Sequence, residues 1–134
     1  MTILPKFWDD PLPGECPPID AEDAFDGVVL RLVKTDPPTA DDFKFGKATG
    51  KKKPNGWDEC RWCACSVWEG STKREVLTGV AKFPKLRDNK FIAHIKIDGG
   101  SGKIMPHAPS STHLSLWMYD DFDPLQAVVK IEPL

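Results

Sequence analysis

Cys60, Cys63 and Cys65 stand in a Cys-x-x-Cys-x-Cys array, and thiolates so closely spaced are what a zinc ion takes as ligands, with Cys16 available as a fourth. The surrounding residues argue against a metal. The run over residues 59–68 reads as a β-strand, which places Cys63 and Cys65 on one face and Cys60 on the other. No Gly or Pro supplies the tight knuckle that would bring the three sulfurs together. The expectation is no metal and no cofactor, with buried structural thiols and a small zinc-binding protein as an alternative. A redox role needs a depressed thiol pKa, for which Arg61 is a thin source.

The most site-like pattern lies over Thr112–Tyr119. Alternation sets Leu114, Leu116 and Met118 on one face and His113, Ser115, Trp117 and Tyr119 on the other. An imidazole, a hydroxyl and two aromatics side by side can hold a ring by stacking, with polar atoms at its edges. The competing reading is a second packed face, covered by the N-terminal segment. His113 and Ser115 alone do not make a nucleophile and base, because neighbours on one strand face point in parallel. Arg31 interrupts the apolar run Val28–Val33, so its guanidinium must snorkel to the sheet's edge, pair with an acid such as Glu59 or Glu132, or face a ligand such as a phosphate. Gly46-Lys-Ala-Thr-Gly50-Lys-Lys-Lys53 resembles a phosphate-binding loop but fails the pattern, since Lys52 stands where a hydroxyl would bind magnesium.

These residues need elements to position them. The chain has 134 residues, 40% hydrophobic and 28% charged, enough for one domain with its own core. Its net charge of −2 argues against sequence-specific nucleic-acid recognition. Charge is segregated: residues 1–26 hold seven acids against Lys6, and residues 44–53 hold five lysines and no acid. No basic region precedes an apolar run at the start, and no apolar stretch approaches ~20 residues. A cytoplasmic protein without membrane association, its four cysteines reduced, is therefore expected.

Five prolines in residues 1–20 exclude a helix or central strand there, so residues 1–27 read as an acidic, extended arm. The remaining chain, residues 28–134, reads as one α+β domain with a Lys-rich loop at 44–56. Val28–Val33 has apolar residues on both faces, as a central strand should. Thr39 can cap a short turn through Asp41, Asp42 and Phe43. Thr72-Lys-Arg-Glu75 has capping-box spacing ahead of a helical stripe, Val76, Leu77, Val80 and Ala81. Phe91–Ile97 alternates, Asp98–Gly102 is a turn, and Ala127–Ile131 reads as a last strand. The architecture expected is a twisted, mainly antiparallel sheet with one or two helices packed on it.

Several stretches carry a likeness: Leu30–Phe43, Glu59-Cys-Arg61, Cys65-Ser-Val-Trp68, Ile92-Ala93, Gly102-Lys-Ile104, His113-Leu-Ser-Leu-Trp117 and Asp123-Pro-Leu125. Together they resemble a group of small bacterial proteins of unassigned function. The layout is also similar to ADP-ribosyltransferase-like folds, and that resemblance implies an NAD site with Arg31 on an early strand, Ser66 on a second and Glu132 on a late one. The chain departs from the pattern at Ala64-Cys65-Ser66, where Ser-x-Ser or Ser-x-Thr would stand, and no acidic pair precedes Glu132. On the shared layout this implies a degenerate site.

The leading expectation is a non-catalytic binding or accessory module of a bacterial cytosolic system, such as one of conflict or defence, with a protein partner. The alternative is an NAD- or nucleotide-binding transferase-like enzyme. Its candidate catalytic residues are Arg31, Ser66, His113 and Glu132, and its ligand contacts Arg31, His113, Ser115, Trp117 and Tyr119.

Overall fold

A computed structural model describes residues 6–8, 12–45, 49–50 and 52–134. Among the described residues, seven strands form one sheet: β1 (Glu22–Asp23), β2 (Gly27–Val33), β3 (Cys65–Glu69), β4 (Phe91–Ile97), β5 (Gly102–Pro106), β6 (His113–Met118) and β7 (Val128–Pro133). Their spatial order is β1-β5-β6-β3-β2-β4-β7, and every pairing is antiparallel. The α-helices α1 (Glu59–Trp62) and α2 (Arg74–Val80) accompany the sheet. This is the α+β arrangement that the alternating strands predict.

Both sheet faces are covered, which is why β2 needs apolar residues in both directions. One face buries Val29, Val33, Cys65, Val67, Ala93, Ile95, Leu114, Leu116 and Met118 against Phe43 and Phe45. The other buries Leu30, Leu32, Trp68 and Ile92 under Leu77 of α2 and Ala81, which caps it. As the alternation predicts, β4 turns Phe91, Ala93, Ile95 and Ile97 to the first face. The 3-10 turn at Ala40–Phe43 follows Thr39, and Asp42 accepts the Thr39 N–H at 2.8 Å and the Lys34 N–H at 2.9 Å.

Three expectations are corrected. Residues 59–68 are not one strand: Asp58 accepts the Arg61 N–H at 3.1 Å and caps a single turn of helix before β3 starts at Cys65. Acids at the cap and first turn favour that helix locally, and one turn is too short to show in periodicity. The four cysteines are not all thiols, since Cys16 and Cys60 form a disulfide. The capping box at Thr72 does not form: Lys73 is the residue before α2, and the Thr72 hydroxyl is buried with no hydrogen-bond partner among the described residues.

The expected proline-rich arm falls partly outside the described residues, which exclude 1–5 and 9–11. Where it is described, Phe7 bridges Tyr119, and β1 joins the sheet edge beside β5. Gly46, Lys47, Ala48 and Lys51 of the lysine-rich loop also lie outside the described residues. No helix among the described residues is long and apolar enough to cross a membrane.

Candidate functional site

β6 positions the polar aromatic face, and its register against β3 sets Ser115 opposite Ser66 and His113 opposite Trp68. Directly paired residues share a face, so these four side chains lie on the side of the sheet that carries α2. That face is occupied. The single turn of α1 sits over it: the Arg61 guanidinium donates to Ser115 Oγ at 2.8 Å and stands over the Trp117 ring, 5.7 Å from its centre. Trp117 Nε1–H donates to the Cys60 carbonyl at 2.9 Å. Ser115 and Trp117 are buried, so α1 provides the cover that the sequence assigns to the N-terminal segment.

His113 stacks between two rings, Trp68 at 4.6 Å and His107 at 4.5 Å. His107 in turn meets Trp57, which makes an edge contact with Trp62. Burial, then the positive character of His107 and Arg61, pushes His113 down to about 4, and its Nε2 is buried without a partner. Burial also lowers His107, with Arg61 adding to the effect. Near neutrality the pair is an uncharged stack. The stack ends at His107, and Trp57, tilted 53° against it, is 44% open to solvent.

Arg31 is on the opposite face. Its side chain shares the parity of Val29 and Val33, and β2–β3 pairing stops after Val29–Glu69 and Leu30–Trp68. Where the strands part, the guanidinium donates to the carbonyls of Ser66 at 2.7 Å, Asp42 at 2.8 Å and Lys44 at 3.4 Å. The expected ion pair with Glu59 or Glu132 is replaced by three backbone oxygens, because the gap between strands exposes carbonyls that need donors.

Glu132 lies on β7 at the sheet's far edge. It bonds His94 Nε2 at 2.8 Å, Arg74 of α2, and Lys130 at 3.5 Å. The His94 hydrogen bond, followed by the Arg74 and Lys130 charges, holds its carboxyl below the usual range. Tyr119 stands at the end of β6 with its ring 5.1 Å from Phe7. The structure therefore brings the side chains of Ser66, His113, Ser115 and Trp117 to one face, while Arg31 reaches the Ser66 backbone carbonyl from the opposite face and Glu132 lies at the far edge.

Sequence reasoning missed Arg61, His107 and Trp57 as members of this cluster, and His94 as the partner of Glu132. Asp58-Glu59 ahead of Arg61 is a helix-start signal that could have found the first. A shallow dent on the α2 side, lined by Phe25, Val28, Glu69, Gly70, Ser71 and His94, lies beside the second. Cys60 is bonded to Cys16, and no three His, Cys, Asp or Glu side chains among the described residues are grouped to hold a metal ion. Comparison with known proteins adds no relative: no family model, curated protein or solved structure matches the chain.

Proposed function

We propose that this protein is a non-catalytic binding or accessory module that works through a protein partner in a bacterial cytosolic system, such as one of conflict or defence. One observation carries the reading: the groups that would grip a nucleotide are already engaged inside the fold. Arg31 is spent on three carbonyls, and Ser115 and Trp117 are capped by Arg61 and the Cys60 carbonyl. Side chains committed in this way position elements and do not meet a substrate.

The surface that suits a partner lies along and after α2. Val76 is 47% exposed and Phe83 63% exposed, among Lys73, Lys82, Lys85 and Arg87. Apolar groups in a stretch of chain where cations outnumber the acids Glu75 and Asp88 fit an acidic segment that carries an apolar anchor. Affinity purification from the native host should recover a partner with the wild-type chain and lose it with Phe83→Ser. Recovery of the chain alone, together with NAD turnover by the purified protein, would overturn the proposal.

A second reading, a nucleotide or NAD ligand, is favoured by the half-exposed Trp57 beside the stack. A flat ring can stack on Trp57, and Lys53 Nζ lies 2.8 Å from the Trp57 carbonyl, within reach of a phosphate. This reading expects quenching of tryptophan emission by NAD, with the effect lost in Trp57→Ala. Unchanged emission at millimolar NAD would end it.

A further inference from the structure

Cys60 is bonded to Cys16, yet a third sulfur belongs to the same turn of chain. Cys63 closes α1, is buried, and holds no disulfide. Residues three apart on an α-helix have their Cα atoms about 5 Å apart. That separation is within the span a disulfide bridges, and the Cα atoms of Cys16 and Cys60 are 5.5 Å apart. Cys60 thus has two cysteines at similar reach, one on the N-terminal segment and one on its own helix. A helix of one turn opens at low cost. The bonds at stake are those of the Cys63 N–H to the carbonyls of Cys60 at 3.1 Å and Glu59 at 3.3 Å.

We infer that Cys60 is a thiol–disulfide exchange centre, at which Cys63 displaces Cys16 and unties the N-terminal segment from α1. The Cys63 thiol gives its proton to solvent, and its thiolate forms a bond to Cys60 Sγ as the Cys16–Cys60 bond breaks. The electron pair leaves on Cys16 Sγ, which takes a proton from solvent. One disulfide exists before and after, so no external oxidant or reductant takes part.

The two states differ in what holds the segment around Cys16. Before exchange it is fastened to the helix that covers Ser115 and Trp117. After exchange its anchors to the sheet are those on either side of it, the Trp8 N–H bond to the Met118 carbonyl at 3.1 Å and the pairing of Glu22 with Ile104 in β1 and β5. Ile19, already 99% exposed, lies within the untied stretch. The Arg61–Ser115 and Trp117–Cys60 contacts are made by α1 itself, so the cover stays while the strap is released. The inference goes beyond the binding-module reading and does not rest on it.

The test uses the full chain in glutathione buffers of graded ratio, quenched with acid, alkylated, cut with trypsin and mapped by mass spectrometry. Trypsin cuts after Arg61 and so separates Cys60 from Cys63. The wild type should yield both Cys16–Cys60 and Cys60–Cys63 linked peptides, Cys63→Ala only the first, and Cys16→Ser only the second. Absence of a Cys60–Cys63 peptide from wild type across the series would overturn the inference. So would a folded Cys16→Ser protein, judged by near-ultraviolet circular dichroism, in which Cys60 and Cys63 are both alkylated in every buffer. These outcomes do not depend on whether a partner or a ligand is ever found.

Discussion

Arg31 shows how one side chain can look functional and be structural. A cation within an apolar strand is costly unless its donors are satisfied, and here three carbonyls satisfy them. Arg31→Ala should lower stability by about 2 kcal/mol, read from urea unfolding, because it leaves oxygens at a strand gap without donors. Arg31→Lys should recover only part of that loss, since an ammonium cannot match the spread of the fork. His113 carries the pH prediction. Its folded pKa, about 4, lies below the ordinary value of 6.5, so its contribution to stability is fully present above 6.5. That contribution is lost as pH falls from 6.5 towards 4. Urea midpoints at pH 7.5 and pH 5 should therefore differ more for the wild type than for His113→Phe, and equal differences would refute the assignment.

At the scale of elements, α1 and α2 show what local signals do and do not specify. The acid-rich start at Asp58 makes a turn of helix where β-propensity favours a strand, and that turn aims Arg61 at Ser115. In α2 the stripe is read correctly at Leu77 and Ala81, which are buried, but Val76 points outward. The spacing of Thr72 and Glu75 suits a box that the chain does not form, leaving a hydroxyl buried without a partner. Thr72→Val should be neutral or stabilising by up to about 1 kcal/mol in thermal unfolding, because it removes an unmet polar group. Gly79→Ala should stabilise by about 0.5–1 kcal/mol, since an added Cβ meets nothing within 4 Å. At the sheet edge, β7 shifts register between its pairings with His94 and Ile95, leaving Val129 62% exposed on an irregular edge. Such an irregularity, with Pro133 at the strand end, discourages further strand pairing.

Across the whole molecule, the Cys16–Cys60 bond closes a chain separation of 44 residues and ties the N-terminal segment to the helix over β6. Chain-entropy arguments give a loop of that length about 4 kcal/mol of stabilisation as an upper figure. Adding a thiol reductant should lower the urea midpoint accordingly, and an unchanged midpoint would show that the bond contributes nothing. The sequence by itself determined the strand alternation in β2, β4 and β6, the turn after Thr39 and the two-sided burial of the central strand. Those follow from side-chain periodicity within a few residues. Only the tertiary structure decided that Arg31 faces away from Ser66 and His113, that Glu132 pairs with His94 and Arg74, and that Arg61 covers Ser115. Each depends on strand order and on where neighbouring strands part, and these arise from contacts between residues distant in the chain.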